Sequence, residues 1–161
     1  MISAFQAARF VILKNGSKVS HMQLNKILYI ANCYHVWLYS SFIIDEDFFA
    51  YSFGPIVKSV YERTKIFKKN NDEKIFYSKN KMVDDFKEVE IDFLNDDSCK
   101  TIEYVLNKYK KKWMVDNFLN SKCPAWKLAK EIKVNSKITI DMICKYAPSN
   151  IKSIRSSIEN I

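Results

Sequence analysis

The chain has 161 residues, with 26 Lys and Arg against 18 Asp and Glu for a net charge of +8; it is 48% hydrophobic and holds 2 Gly and 3 Pro. A single domain of this length buries about two thirds of the surface its unfolded chain exposes, so it needs no metal or disulfide staple, and the composition excludes collagen-like, linker-like and globally disordered classes. So few glycines argue against large sheets with many tight turns, and against nucleotide folds built on a glycine-rich loop.

The charge is uneven, for residues 101–161 hold 12 basic residues against 5 acidic ones. A basic surface invites an acidic partner such as nucleic acid, an acidic protein or anionic lipid. Only Arg9, Arg63 and Arg155 are arginines, however, and base readout prefers the arginine fork. Cys33, Cys99, Cys123 and Cys144 form no C-x-x-C pair and read as free thiols that pack as small hydrophobes. Gln6 and Arg9 interrupt the apolar run of Met1–Leu13, so this stretch is not expected to act as a secretory leader. No stretch approaches the roughly 20 apolar residues of a membrane span. The expectation is a cytoplasmic protein without a membrane partner.

Ser3 and Gln6 have the form of a capping box, followed by Ala4, Ala7, Ala8, Val11 and Ile12 at helical spacing, with Gly16 where a C-cap glycine belongs. Ser20 and Gln23 repeat that pattern ahead of a stripe of Leu24, Ile27, Leu28, Ala31, His35 and Leu38. Met22, Ile30 and Trp37 add a second apolar face, which predicts a central helix packed on several sides. Residues 41–51 read as a loop or a short irregular hairpin. Pro55 is placed for the first turn of a third helix, with a stripe of Ile56, Val57, Val60, Tyr61, Thr64 and Phe67. Ile75–Tyr77 is a strand candidate, and Val89, Ile91 and Phe93 alternate with acids in the cleanest strand signal of the chain. A β-ribbon is expected near 72–94.

Asp97 or Ser98 can cap a fourth helix with Cys99, Ile102, Val105, Leu106, Tyr109 and Trp113 on one face. Val115, Phe118 and Leu119 start a separate short helix, Pro124 begins another, and Thr139 caps Ile140–Tyr146. Ile151, Ile154 and Ile158 form a stripe that is either a last helix or a segment ordered with a partner. The sum is a mainly α, compact helical domain over 1–147 with a small β-ribbon insertion, followed by a tail or short helix over 148–161.

Chemistry is sparse. His21 and His35 lie four turns apart on one helix, about 21 Å, and cannot share an ion. Cys33 and His35, two residues apart, do not face each other. Asp45–Asp47, Asp84-Asp85 and Asp96-Asp97 are acidic clusters without a sequence sign of convergence. No catalytic residue, metal ligand or cofactor is assigned, and the chain is expected not to be an enzyme. Lys108, Lys110, Lys111, Lys112 and Trp113, with Lys127, Lys130 and Lys133, can serve nucleic acid, the lysines on phosphate and the indole on a base. In the other reading, Trp113 completes the helix stripe and the lysines cover the wet face.

Three segments resemble one known family. Leu24-Asn-Lys26-Ile-Leu28-Tyr29-Ile-Ala31 is similar to the helix signature of the Panacea domain, the SocA-like or phage GepA-like group. Phe49-Ala50-Tyr51-Ser-Phe53-Gly54-Pro55-Ile56-Val57, continuing to Val60-Tyr61, resembles its Gly-Pro segment, with Tyr51 where the family has Trp. Pro124-Ala-Trp126-Lys-Leu-Ala129 resembles its C-terminal Pro-Trp segment. The resemblance implies an antitoxin-like protein that neutralises a cognate protein toxin by direct contact, with one described member delivering its toxin to a bacterial ATP-dependent protease. Other members are phage-associated, which leaves a phage or host-interaction protein without a toxin partner as an alternative, and no cofactor is implied. The residues it singles out for partner binding are Lys26, Tyr29, Tyr51, Phe53, Gly54, Pro55, Tyr61 and Trp126, beside the acidic Asp45 and Asp47. The aromatics among them are either core and turn determinants or contact residues. Lys26, between apolar neighbours on the central helix, needs an acid or solvent nearby, supplied either by Asp45 or Asp47 or by a groove.

Overall fold

A computed structural model describes residues 1–15, 19–65, 86–91 and 96–161. Helix α1 (Ala4–Lys14) opens on the expected reciprocal capping box between Ser3 and Gln6. Its buried Ala4, Ala7, Ala8 and Val11 let it lie close on α2 (His21–Tyr39), which Ser20 caps. Helix α2 is the expected axis of the domain, buried on nearly every face from Leu24 to Leu38. Gly16 lies outside the described residues.

The chain then forms an antiparallel hairpin, β1 (Phe48–Tyr51) and β2 (Gly54–Val57), in which Ala50 faces Pro55 and Tyr51 faces Gly54. A later strand, β3 (Ser136–Lys137), pairs with the other side of β1, giving the order β2-β1-β3. Pro55 therefore does not begin the third helix. It sits in an edge strand, where its missing N–H costs no ladder bond, and α3 starts at Lys58 and runs to Lys65. The reason lies in α2. Buried Asn25 accepts a hydrogen bond from the Val57 N–H at 3.0 Å and donates to the His21 carbonyl at 2.9 Å. One turn pair further along, Asn32 accepts from the Ile43 N–H at 3.1 Å. The two amides hold extended backbone on the central helix at the cost of a helical continuation.

The expected ribbon falls largely on residues 72–85 and 92–94, outside the described residues. Residues 86–91 form a turn, not a strand, closed by the Val89 N–H to the Phe86 carbonyl at 3.0 Å. Phe86 is fully buried there, edge-on to Phe5 at 5.8 Å, with the Arg63 guanidinium over both rings. The small sheet of this mainly α fold thus lies at the hairpin and β3 among the described residues.

Helix α4 (Asp96–Lys108) buries Ile102 and Val105 and ends before Trp113. The chain turns at Tyr109–Lys111, begins α5 (Lys112–Asn117), and passes into one π-helical turn (Phe118–Lys122). Trp113 therefore does not complete the α4 stripe, and its side chain is 64% exposed. Pro124 precedes α6 (Ala125–Ile132), Thr139 caps α7 (Ile140–Cys144), and the tail forms α8 (Ile151–Glu159) with Ile154 and Ile158 buried. Helix α8 rests on α2 and α4. Its Arg155 donates to the Leu38 carbonyl at 2.5 Å and lies over the Tyr39 ring. No helix among the described residues is long and apolar enough to cross a membrane.

Candidate partner-binding face

The centre of the face is Lys26, whose ammonium pairs with Asp116 on α5 at 2.8 Å. The expected partners Asp45 and Asp47 are not used. Asp47 pairs with Lys137 of β3 at 2.8 Å, and Asp45 is exposed, its N–H bound to the Ile2 carbonyl. The Lys26 and Asp116 side chains are 19% and 36% exposed, so a partner can touch the pair without unfolding anything. Asp116 is the only acid between Glu103 and Glu131, the one sequence signal that could have found it.

Gly54 lies against the Lys26 stem. A Cβ built on it would meet Lys26 Cε at 3.5 Å, an ordinary contact. Its φ of +140° instead explains the glycine, because L side chains rarely adopt that conformation. The hairpin turn beside it presents an aromatic group. Phe53, 41% exposed, stacks on Tyr61 at 5.7 Å and meets Tyr51 edge-on at 5.7 Å. Tyr61 also touches the His21 ring at 5.8 Å. Trp113 stands three residues before Asp116 and so is its neighbour on the α5 surface. Each member of the half-shielded ion pair thus has a large exposed aromatic near it in the chain or fold: Phe53 precedes the Gly54 that lies against Lys26, and Trp113 shares α5 with Asp116.

The remaining predicted contact residues face inward. Tyr29 is fully buried, edge-on to Phe48 at 5.6 Å, with its hydroxyl 3.8 Å from the Cys123 sulfur. Burial pushes the Tyr29 phenol and the Cys33 thiol up, so both stay neutral in the core. Pro55 and Gly54 are buried in the sheet. Trp126 is buried and donates its indole N–H to the Leu119 carbonyl at 2.9 Å. A partner meeting this surface reaches Lys26, Tyr51, Phe53 and Tyr61, and reaches Tyr29, Pro55 and Trp126 only through what they support.

The lysine set divides similarly. Lys108 is held in an aromatic cage, donating to the Tyr104 hydroxyl at 2.8 Å and lying over the rings of Tyr34, Tyr104 and Tyr109. Burial lowers its pKa, but the neighbouring tyrosine hydroxyls more than offset that, leaving it raised. Burial also pushes Tyr109 up to about 12. Lys130 lies over the Trp126 ring at 4.9 Å. Lys127 is half-buried, and Lys133 is exposed beyond α6. Only Lys110, Lys111 and Lys112 form an exposed lysine run, immediately before the exposed Trp113. Among the described residues no group of His, Cys, Asp and Glu could hold a metal ion.

A central helix clasped by a Gly-Pro hairpin and closed by a Pro-Trp helix defines a small, mainly α-helical domain whose accessible candidate residues stand on α2, the hairpin, α3 and α5. Residues 24–127 match the model of one family, the antitoxin SocA-like Panacea domain. The chain belongs to that family, and the matched span carries Lys26, Phe53, Gly54, Trp113 and Asp116. Comparison with curated proteins and with solved structures finds no match.

Proposed function

We propose that the chain is an antitoxin that acts by binding, not catalysis, and neutralises a cognate protein toxin through the face around Lys26–Asp116. The observation that carries this reading is the coincidence of the family match with that face. Aromatic anchors around a partly desolvated charge pair are the composition of a binding hot spot. Phe53 and Trp113 supply the anchors, and Gly54 fixes the turn that presents Phe53.

The test begins with capture of proteins from the native host on the tagged chain at high salt. The gene of a stoichiometric small protein is then expressed alone and together with this chain. Growth arrest alone, rescue with the chain, and loss of rescue in Phe53→Asp are the expected results. Absence of rescue by the wild-type chain would overturn the proposal. Toxin abundance during rescue separates two routes. A toxin that persists in complex is neutralised by contact, whereas one that vanishes only where an ATP-dependent protease is present has been handed over.

One observation favours a second reading, nucleic-acid binding by an autoregulator. The run Lys110–Lys112 ends in an indole exposed enough to stack on a base. It predicts that oligothymidylate quenches Trp113 fluorescence, with an affinity that falls steeply as salt rises. A flat titration at low salt removes this reading.

A further inference from the structure

Lys26, Tyr29 and Cys33 stand on one side of α2, at spacings of three and four residues. One later stretch of chain meets all three. Lys26 pairs with Asp116. Seven residues further along each segment, Cys33 and Cys123 are in hydrogen-bond contact. Tyr29 completes the cluster, its hydroxyl 3.8 Å from the Cys123 sulfur and in contact with Cys33 as well. Both thiols are fully buried, and partner binding at the Lys26–Asp116 face uses neither.

The two thiols are not equivalent. Cys123 lies between the π-helical turn and the start of α6, where its sulfur accepts from Cys33, the Ala125 N–H and the Tyr29 hydroxyl. These donors, Cys33 foremost, outweigh burial and hold the Cys123 pKa below its ordinary value, while burial pushes Cys33 up. A thiol that gives up its proton readily, beside one that keeps it, is the division between an attacking and a resolving cysteine. Access is close at hand. Asn120, Ser121 and Lys122, immediately before Cys123, are exposed, and the Cys123 N–H donates to the Phe118 carbonyl at 2.9 Å to close the π-helical turn. Such turns recur at functional sites, and opening this one brings a small oxidant to the sulfur.

We propose that Cys33 and Cys123 form an oxidation site that hydrogen peroxide closes to a disulfide. The Cys123 thiolate attacks one oxygen of the peroxide and the O–O bond breaks. Hydroxide leaves, takes up the proton that Cys123 released and becomes water, and Cys123 carries a sulfenic acid. The Cys33 sulfur then attacks the sulfenic sulfur. The S–O bond breaks, the hydroxyl leaves with the Cys33 proton as a second water, and the S–S bond forms. Two thiols have lost two electrons and one peroxide has been reduced to two waters. A dithiol reductant reverses the bond by exchange. The disulfide joins the same two segments as the Lys26–Asp116 pair, two turns further along α2, and so fastens the central helix covalently to the stretch that supplies Asp116.

The full, folded chain is treated with hydrogen peroxide, blocked with N-ethylmaleimide in denaturant, and mapped by mass spectrometry after proteolysis without reductant. The expected main product is a linked Cys33–Cys123 peptide, lighter than its two parts by two hydrogens and lost on treatment with dithiothreitol. In Cys33→Ser the reaction should stop at Cys123, where dimedone traps the sulfenic acid. In Cys123→Ser, Cys33 should take up no dimedone. Where a variant fails to fold, the wild-type map decides alone. Cys33 and Cys123 recovered as maleimide adducts while the exposed Cys144 is oxidised, a linked peptide joining a different pair, or dimedone on Cys33 in place of Cys123 would each overturn the proposal.

Discussion

Lys26 and the run Lys110–Lys112 present the same side chain in opposite settings. Lys26 rises from the most buried helix of the molecule, packs its stem against Gly54 and ends on Asp116 at 2.8 Å. The three lysines of the run are exposed, with no ion pair among the described residues, and they precede an exposed indole. The difference follows from the backbone beneath. Beside Lys26 the buried Asn25 fixes β2, and two turns on Asn32 fixes the backbone at Ile43, so position and charge are set before any partner arrives. Around Lys110 the chain has just left α4 and nothing fixes the side chains. A preorganised charge gives a partner geometry, whereas a loose run of charge gives it long-range attraction.

That contrast can be attacked from its rigid side first. Phe48→Ala empties a fully buried ring site against Tyr29 and should cost about 3–5 kcal/mol in chemical denaturation. A loss comparable to a surface substitution would show that the hairpin is not fastened to α2. Asn25→Ala leaves the Val57 N–H buried without its acceptor and should cost about 1–3 kcal/mol. A melting temperature equal to wild type would remove the asparagine clamp from the account.

A smaller effect is expected from His35, which burial holds below its ordinary pKa while its Nδ1–H donates to the Ser41 carbonyl. The unfolded chain therefore takes up the proton first, so stability is full above about pH 6.5 and falls as pH drops from there towards the folded-state value. Thermal melts across that range should show the fall in the wild type and a reduced fall in His35→Gln. An equal fall in both would assign it to other groups. Smallest of all, Trp113→Ala should change stability by no more than about 0.5 kcal/mol while weakening capture of the partner. A large stability loss would mean that the indole is structural.

Much of the helical frame was readable from capping residues and apolar spacing, because Ser3, Ser20, Thr139 and Pro124 act locally. The family segments were readable for the same reason, as each is contiguous. What escaped were decisions made across the fold. Pro55 looks like a helix start until Asn25, thirty residues earlier, takes the Val57 N–H. Lys26 demands an acid, but sequence proximity points to Asp45 and Asp47, and the chain delivers Asp116 from α5. Trp113 falls on the α4 periodicity only if α4 continues, and the turn at Tyr109–Lys111 ends it. The alternation of Val89 and Ile91 resembles a strand, yet their backbone serves a turn whose carbonyls accept from Gln6 and Arg9 of α1. In each case a long-range hydrogen bond or packing contact outweighed a local pattern.

The contact between Arg155 and the Leu38 carbonyl has a mechanical side. Helix α2 has no basic residue in its own last turn, so the cation at its carboxyl end comes from α8. A pulling force on α8 reaches the helix that bears Lys26 through that bond, the Tyr39 ring and the packing of the buried Ile154 and Ile158. Peeling away the last short helix would thus loosen the far end of the rod on which the whole candidate face is mounted, before any strand is torn.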